Sequence, residues 1–373
     1  MMLPNGWKKV KLGDVATISS GSTPLRSNKA YFENGNMPWV KTMDLTNGKI
    51  TKTDECITEL AAKKCKPYPV GTVLVAMYGG FNQIGRTGLL TFPASINQAL
   101  AALQFEKNVC SEYVLFYLNA NVDRWRSCAA SSRKDPNITS HDVEKFEIVL
   151  PPIEEQKKIA ATLSVWDSAI EKMEKLIKAK ECGHAVLMNN MLKKAKTWDC
   201  NYLSDIATIK KGKQLNAVDM ISDGAYYVMN GGITPSGNTD DWNTAENTIS
   251  ISEGGNSCGF VAFNKEKFWA GGHCYTLIDL SEVVSVKFLF HYLKNMEKEI
   301  MAMRVGSGLP NIQKDSISDI EVLYPSKKEQ KRISEVLDDS LSEISLLKQQ
   351  LENYKKQKQG LMQKLLTGQW RVK

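Results

Sequence analysis

The most specific hydrogen-bonding groups of the chain lie in a glycine-rich loop that follows the apolar run TVLVAMY. Gly79 and Gly80 allow a partner to approach the backbone closely. The segment then supplies an amide pair, Asn82 and Gln83, and the guanidinium of Arg86. Amide and guanidinium groups donate hydrogen bonds in a fixed planar geometry. This combination makes the loop the best candidate of its part of the chain for contact with a partner.

Residue patterns for catalysis are missing from the sequence. The segment GSTPLRSNK has the glycine and lysine of a P-loop without its spacing, and no G-x-G-x-x-G, N-P-P-[YF], H-E-x-x-H or G-x-S-x-G occurs. His273 and Cys274 are adjacent, but such a pair in a glycine-rich turn is more often structural than a base and a nucleophile. The eight cysteines show no C-x-x-C pair and no zinc-ligand spacing. The sequence predicts no catalytic residue, no metal site and no cofactor in this chain.

Composition limits the class of protein without identifying a partner. The chain has 373 residues, 42% of them hydrophobic, a formal net charge of +7 and a pI of about 8.8. This length predicts two or three domains, and the charge permits nucleic acid as a partner without requiring it. No apolar run approaches the roughly 18 residues needed to cross a membrane. With free cysteines and no signal peptide, we expect a soluble, cytoplasmic protein.

The sequence contains one large duplication. The segment PNITSHDVEKFEIVLPPIEEQKKI, which begins at Pro136, returns as PNIQKDSISDIEVLYPSKKEQKRI at Pro310, an offset of 174 residues. An earlier pair, LGDVATISSG at Leu12 and LSDIATIKKG at Leu203, has an offset of 191 residues. A repeat of this size, present only twice, predicts a duplicated domain rather than a solenoid. The falling offset places 17 extra residues in the first copy.

Each copy begins with a mixed globular region. Short apolar and β-branched runs (TVLVAMY and LLTF in the first copy, TISIS and FVAF in the second) alternate with glycine-rich turns and predict strands. SEYVLFYLNANV, from Ser111, and VSVKFLFHYLKNMEKEI, from Val284, have helical spacing at corresponding places. The predicted fold class of both copies is α+β.

Each copy closes with a helical tail of about 40 residues, a rod of about 60 Å. Pro151 and Pro325 precede the tails, as is typical of helix starts. Apolar residues recur in alternating steps of four and three, which is a heptad pattern, and both tails keep one register. The predicted seam consists of Ile159, Leu163, Trp166, Ile170, Met173, Ile177, Leu187 and Met191 in the first tail and Ile333, Leu337, Ile344, Leu347, Leu351, Tyr354, Leu361 and Leu365 in the second.

The shared register predicts that the two tails pack against each other. If the copies are related by a pseudo-two-fold axis, the helices run antiparallel, and polar residues within the seam fix their register. The pairs expected to be close are Ile159 with Leu365, His184 with Ser340, and Trp166 with Lys358. The alternative is that each tail packs on its own globular region.

Several phrases of the chain, and their order, match one known family. They are LGDVATISSGSTP near the start, WVKTMDL from Trp39, PNIT and LPNIQ before the tails, the twice-occurring E-Q-K-[KR]-I motif, and the ending LMQKLLTGQWRV. Over essentially its whole length the chain resembles the specificity (S) subunit of type I restriction–modification systems.

The resemblance implies two globular target-recognition domains and two long antiparallel coiled-coil helices related by a pseudo-two-fold repeat. Each domain would read one half of a bipartite, asymmetric site in double-stranded DNA. The helices would form a spacer that docks two modification (methyltransferase) subunits, and restriction subunits would join that core. S-adenosylmethionine, ATP and Mg would belong to these partners, because the family's specificity subunit is not catalytic.

Under this resemblance, phosphate contacts are expected from Lys, Arg and backbone amides, and base contacts from polar side chains on loops. The predicted DNA contacts of the first copy are Ser22, Thr23, Arg26, Lys41, Tyr78, Gly80, Asn82, Gln83, Arg86, Arg133 and Lys134. Those of the second copy are Lys210, Lys211, Lys213, Gln214, Asn230, Asn256, Ser257, Arg304 and Ser307. For any single residue the alternative is an ordinary solvated loop side chain. The loops match poorly between copies, which predicts two different half-sites.

The predicted domains are 1–151 and 197–324 for target recognition, 152–196 for the central spacer helix and 325–373 for the C-terminal spacer helix. Two other functions stay open at this point. The chain could be the specificity subunit of a fused restriction–methylation enzyme of another type, or a coiled-coil adaptor without a DNA role. A neighbouring gene for a separate modification subunit would separate the type I system from the fused enzyme. Salt-independent binding to DNA would favour the adaptor.

Overall fold

The computed structural model describes residues 3–80, 82–129, 137–193, 197–306, 308 and 310–372. The chain folds into two compact units. The first unit consists of Met1–Met173 and Gln350–Lys373, and the second of Glu174–Gln349. Each unit thus holds a globular region together with part of both long helices. The four-part division predicted from the sequence stays a prediction.

The first unit has a mixed α+β fold. Its strands are β1 Lys8–Lys11, β2 Ala16–Ser20, β3 Met37–Val40, β4 Gly48–Ile50, β5 Cys56–Ile57, β6 Val73–Ala76, β7 Thr87–Leu90, β8 Ser95–Ile96, β9 Leu100–Phe105 and β10 Glu147–Leu150. Its helices are α1 Glu59–Ala62, α2 Ser111–Ala120, α3 Val122–Ala129, α4 Ser140–Lys145 and the first part of α5 Ile153–Met191. The sheets have the orders β2-β9-β6-β7-β4, β5-β3-β8 and β1-β10.

The second unit repeats this arrangement. Its strands are β11 Asp199–Tyr202, β12 Thr208–Lys211, β13 Tyr226–Met229, β14 Gly237–Thr239, β15 Thr248–Ser252, β16 Val261–Asn264, β17 Trp269–Ala270, β18 Cys274–Ile278 and β19 Glu321–Tyr324. Its helices are α6 Leu203–Ile206, α7 Val286–Asn295, α8 Glu297–Ala302, α9 Lys314–Ser318 and the first part of α10 Lys327–Leu366. The sheets have the orders β12-β18-β15-β16, β14-β13-β17 and β11-β19.

The duplicated sequence is therefore a duplicated fold. The central sheets share the order β2-β9-β6-β7 and β12-β18-β15-β16, and β3 pairs in parallel with β8 as β13 does with β17. The first unit adds β4, in parallel with β7, and the described part of the second unit has no counterpart to that strand. The extra residues of the first copy thus enlarge its central sheet. The predicted α+β fold class is confirmed.

Strand β6 shows why a central strand can be apolar at every position. Successive side chains of a strand point to opposite faces of its sheet. Val73 and Val75 therefore enter the core under the helices, while Leu74 and Ala76 enter a second core on the other face. All four residues are buried. A strand covered on both faces needs an unbroken apolar run rather than an alternating one.

A buried glutamine fixes the start of the long helix in the first unit. The Gln156 side chain is 2% exposed. Its amide nitrogen donates to the carbonyl oxygen of Pro151 at 2.8 Å, and its amide oxygen accepts from the backbone N–H of Cys110 at 2.9 Å. Cys110 is the residue before α2. The E-Q motif therefore ties the long helix to the start of a helix in the globular core.

The two long helices are antiparallel within each unit. In the second unit, His184 Nδ1 lies 3.0 Å from Ser340 Oγ, and Lys180 Nζ lies 2.6 Å from a carboxylate oxygen of Glu343. As residue numbers rise along α5, their partners on α10 fall. The expected proximity of His184 and Ser340 is therefore present.

In the first unit the same helices meet through aromatic and charged side chains. Trp166 packs edge-on against Tyr354 with ring centroids 5.9 Å apart, and Lys358 pairs with Asp167. Lys358 also lies over the ring of Phe116, 5.3 Å from its centroid. None of the predicted seam residues is exposed.

The ends of the long helices also pack on the globular cores. Ile159 and Leu365 belong to the main apolar core of the first unit, and Leu187 and Ile333 pack in that of the second. Helix–helix packing and packing on the globular region, weighed as alternatives from the sequence, therefore occur together. None of the helices described here is both long and apolar enough to cross a membrane.

Candidate nucleic-acid interface

A glycine at the end of the first central strand allows a second loop to cross close to it in each unit. A Cβ atom on Gly21 would lie 2.3 Å from the carbonyl oxygen of Asn97, and one on Gly212 would lie 2.2 Å from that of Gly271. Real Cβ atoms do not approach backbone oxygens this closely, so both positions require glycine. The repeated phrases LGDVATISSG and LSDIATIKKG thus end at a point of loop crossing.

The repeated isoleucines hold the glycine-rich loops in place. The backbone N–H of Ile138 donates to the carbonyl oxygen of Met77 at 3.0 Å, and that of Ile312 donates to the carbonyl oxygen of Glu253 at 2.9 Å. Both isoleucine side chains are completely buried. Met77 and Glu253 directly follow a central strand, so the loops after β6 and β15 have equivalent anchors.

These crossings bring three loops together at one end of each central sheet. We call this surface the loop face; it comprises residues 21–26, 77–80, 82–86 and 97–99 in the first unit and 212–214, 253–259 and 271–273 in the second. Lys41 and Asn230 flank it at equivalent positions, because Val40 and Met229 before them accept hydrogen bonds from the crossing loop. The loop face of the first unit therefore contains most of its predicted contact residues. That of the second unit contains Lys213, Gln214, Asn256 and Ser257, and Lys211 directly precedes it.

Two predicted cations of the first unit share one carboxylate. A guanidinium nitrogen of Arg26 lies 3.0 Å from Glu55, and Lys41 Nζ also lies 3.0 Å from it. Arg26 also lies 4.6 Å and 4.8 Å from the ring centroids of Phe32 and Trp39. The hydrogen bond from Arg26 lowers the pKa of Glu55 most, followed by that from Lys41, against the opposing effect of burial. Both cations are therefore oriented by an ionised carboxylate.

The glycine-rich loop of the first unit leaves its polar groups accessible. Gly80 has a positive φ of 76° with open space where a Cβ would be, and Asn82 is exposed. Arg86 is half-buried and donates from Nε to the Asn82 carbonyl oxygen at 3.1 Å. Gln83 is half-buried, with its amide nitrogen 3.5 Å from the Met43 sulfur. The amide side chain of Asn82 and the terminal nitrogens of Arg86 remain available to a partner.

Three further predicted residues of the first unit lie on the same loop face. Ser22 Oγ is 3.4 Å from the Lys64 carbonyl oxygen, and the hydroxyl of Thr23 pairs with the Gln98 side chain. Tyr78 is 42% exposed although it follows a fully buried strand. An exposed aromatic ring at a loop face of hydrogen-bonding groups suits contact with a flat or extended partner.

In the second unit, predicted residues surround a buried carboxylate. Lys211 Nζ lies 2.5 Å from Glu253, whose side chain is 5% exposed. Asn230 Oδ1 accepts a hydrogen bond from the backbone N–H of His273 at 3.2 Å. A carboxylate in this position offsets part of the Lys211 charge and restricts its side chain.

The remaining predicted residues of the second unit are distributed around the same loop face. Ser257 Oγ donates to the Gly231 carbonyl oxygen at 2.7 Å, so its hydroxyl hydrogen is already used. The exposed residues are Lys210, Lys213, Gln214, Asn256 and Arg304. Three predicted contacts, Arg133, Lys134 and Ser307, lie outside the described residues. The others stay predictions, with the contacts given above.

Sequence reasoning missed the carboxylates that organise both loop faces. Glu55 lies in a loop whose sequence does not return in the second copy, so no sequence pattern marks it. Glu253 does carry a sequence signal. It is a charged residue that directly follows the uncharged strand TISIS and directly precedes two glycines. From the sequence alone, the adjacent pair His273 and Cys274 is expected to be structural. In the structure His273 faces Glu253, with Nδ1 3.5 Å from a carboxylate oxygen.

The loop faces are arranged for binding. Each combines hydrogen-bond donors, an organising carboxylate and backbone atoms exposed by glycines. Within the described part of the chain, no group of three or more His, Cys, Asp and Glu side chains could hold a metal ion. Two units on one scaffold, with different side chains at equivalent loop faces, define a duplicated recognition protein.

Comparison with known proteins identifies the family to which the chain belongs. The family model described as "Type I restriction modification DNA specificity domain" matches residues 4–181 and 195–355. This match covers most of the chain in two successive copies. The chain therefore belongs to the specificity subunits of type I restriction–modification systems, whose role in those systems is non-catalytic.

Individual relatives match either nearly the whole chain or about half of it. It is 25% identical over 416 residues to the MjaIX specificity subunit of a type I restriction enzyme from Methanocaldococcus jannaschii, covering 99% of this chain and 95% of that protein. A putative type I specificity subunit from Mycoplasma pneumoniae is 32% identical over 172 residues, 46% of each protein. The crystal structure of a type I S subunit from M. genitalium has the same fold, with a TM-score of 0.68, 19% identity and 98% coverage of both chains. These relatives support neither the fused-enzyme nor the adaptor alternative.

Proposed function

We propose that the chain is the DNA-recognition subunit of a type I restriction–modification complex and that each loop face reads one half of a bipartite, asymmetric site. The observation that carries this proposal is the pair of equivalent loop faces with unlike side chains. The first presents Arg26 and Lys41 on Glu55, and the second presents Lys211 and His273 on Glu253. Because base readout depends on the side chains presented, unlike loop faces read unlike half-sites.

We further propose that the paired helices form the spacer and dock two modification (methyltransferase) subunits, to which restriction subunits are added. S-adenosylmethionine, ATP and Mg would then belong to those partners. The support is the family match and the relatives described as specificity subunits of type I restriction enzymes. Co-purification tests this assembly: two copies of a separately encoded methyltransferase are expected for each copy of this chain.

Methylome sequencing of a host that carries the system tests the readout. The expected result is a methylated motif made of two different specific parts separated by a gap. A single continuous motif, or two parts that form a palindrome, would contradict the assignment of one half-site to each loop face. The motif also supplies the DNA for the binding assays.

Binding of that duplex by the complex tests the first loop face directly. The triple change of Asn82, Gln83 and Arg86 to alanine is expected to remove specific binding, because good bidentate base contacts each contribute about 1–3 kcal/mol of discrimination. The matched control changes Lys107 and Asn108, exposed residues at the other end of β9, to alanine.

Salt dependence distinguishes DNA binding from a protein-only role. The logarithm of the affinity is expected to fall linearly with the logarithm of salt concentration, by about 0.9 for each phosphate contacted. An affinity that does not change with salt would contradict phosphate contacts. Unchanged specific binding in the triple variant would remove the glycine-rich loop from the interface while leaving DNA recognition by other loops intact.

A further inference from the structure

Glu253 is a buried carboxylate at the loop face of the second unit with only one of its oxygens fully satisfied. Oε1 accepts from Lys211 Nζ at 2.5 Å and from Tyr275 Oη at 3.0 Å. Oε2 is shielded from solvent and has no hydrogen-bond donor among the described residues. A buried acceptor without a donor costs free energy, and the cost is larger for a charged group.

His273 is the group that can supply the missing donor. Its Nδ1 lies 3.5 Å from Glu253 Oε2, while its side chain is 61% exposed. Its backbone N–H is held by Asn230, which fixes the loop that carries it. A protonated imidazole has an N–H at both ring nitrogens. One nitrogen can therefore serve Glu253 while the other points away from the buried carboxylate.

We propose that His273 is a DNA contact of the second unit, that its protonated form binds a backbone phosphate, and that Glu253 is the residue that positions it. This inference rests on the proposed DNA-recognition function. The imidazolium can donate to Glu253 Oε2 through Nδ1 and still has a second N–H, at Nε2, for the phosphate, which the neutral imidazole lacks. Lys211, on the other oxygen of Glu253, supplies a second positive charge beside the first.

The groups around Glu253 favour this arrangement. Burial, followed by the hydrogen bond to Glu253, raises the pKa of Tyr275 to about 12, so its phenol remains a donor to the carboxylate. Lys211 lies on the same carboxylate oxygen as Tyr275, and Glu253 is the carboxylate that lies against His273.

The binding consequence is an affinity that depends on pH. A phosphate that binds the imidazolium takes up a proton together with the contact, so we expect the affinity to rise as the pH falls from 8 to 6. A change of one pKa unit on binding corresponds to about tenfold in affinity, and we expect a gain of about five- to tenfold across this range. The salt slope should become steeper by about 0.9 at the lower pH.

The experiment measures the affinity of the complex for a labelled duplex carrying its methylated motif, at several pH values and salt concentrations. In His273→Gln the gain at low pH is expected to disappear. In His273→Lys a permanent charge is expected to give tight binding at pH 8 with little further gain. The matched control is His141→Gln, another exposed histidine with a carboxylate oxygen 3.5 Å from Nδ1, in the first unit. It should retain the gain.

The outcomes separate this inference from the proposed function. Salt-independent binding by the unaltered chain would contradict DNA recognition itself. If binding depends on salt but the gain in affinity at low pH persists in His273→Gln, the inference about His273 is overturned and the proposed function is not. Loss of that gain in His141→Gln would have the same meaning. Glu253→Gln tests positioning, because without the carboxylate the imidazole loses its partner at Nδ1, and the gain in affinity at low pH should shrink. An unchanged gain would overturn the role given to Glu253.

Discussion

Replacing Gln330 by glutamate would test how the second unit anchors its long helix. Gln330 is fully buried, and its amide nitrogen donates to the carbonyl oxygens of Val283 and Pro325 at 2.8 and 2.9 Å. Its amide oxygen accepts from the backbone N–H of Ser285 at 2.8 Å. A glutamate has the same shape, but when ionised it places a second oxygen against those two carbonyl oxygens. The repulsion and the burial of charge both oppose ionisation.

The expected cost follows from keeping that carboxyl group protonated. A glutamate of ordinary pKa about 4.3 needs about 3.7 kcal/mol to remain protonated at pH 7. Its single O–H replaces only one of the two donated hydrogen bonds, and the lost bond adds about 1 kcal/mol. We therefore expect Gln330→Glu to lower the free energy of unfolding of the second unit by about 4–5 kcal/mol at pH 7.

The pH dependence of this loss distinguishes the mechanism from ordinary misfolding. The folded form holds a proton that the unfolded form releases above pH 4.3, so stability falls as pH rises, by about 1.4 kcal/mol per pH unit. Lowering the pH from 7 to 5 should therefore restore about 3 kcal/mol. Urea unfolding followed by tryptophan fluorescence measures this, since Trp198 packs against Phe288 on α7.

The matched control is Gln349→Glu, the same chemical change at an exposed position of α10. It should alter the free energy of unfolding by less than about 0.5 kcal/mol at either pH. A loss in Gln330→Glu that is equal at pH 5 and pH 7 would refute the reasoning, because it would show that no buried carboxyl group is being titrated. Hydrogen exchange in α7 should increase together with the loss of stability.

Three further predictions concern the same scaffold. Gln156→Glu should reproduce the pH-dependent loss in the first unit, measured in the same urea titrations. Gly183→Ala and Gly360→Ala should each raise the free energy of unfolding by about 0.5–1 kcal/mol, since both glycines lie exposed inside long helices with open space around the Cβ position. Burial raises the pKa of Glu155, but hydrogen bonds led by that from Arg371 outweigh it and hold the pKa below its usual value. The first unit should therefore lose stability as the pH falls below 4.5, and Arg371→Ala, followed by acid titration with circular dichroism, should weaken that loss.

The fold was predictable because its determinants are local or repeated. A continuous apolar run marks β6, alternating isoleucine and hydroxyl residues mark β15, and the heptad steps mark α5 and α10. The shared register also predicted the contact between His184 and Ser340, since antiparallel pairing of two equal helices leaves one symmetric alignment.

The loop faces were predictable only as regions. The glycines located the loops, because Gly21 and Gly212 meet backbone oxygens of a crossing loop. Side-chain partners were not predictable, since they depend on tertiary contacts far apart in the chain. Arg26, expected to be free for DNA, pairs with Glu55, and no spacing rule connects the two. The His273–Cys274 pair was prominent in the sequence, yet the neighbour that matters to His273 is Glu253, twenty residues earlier.

Repeated residues of this chain do not all have the same role in both units, and the difference shows what the duplication preserves. Gln156 and Gln330 make equivalent hydrogen bonds to backbone atoms. These bonds do not depend on the neighbouring side chains, so they can form whatever residues surround the start of the core helix. The preceding glutamates differ. Glu155 is buried against Arg371, whereas Glu329 pairs with Arg332 on its own helix. Contacts to backbone atoms are thus preserved, while contacts between side chains have diverged. A scaffold held by backbone contacts lets each loop face change its side chains, and with them the half-site that we propose it reads, without loss of the fold.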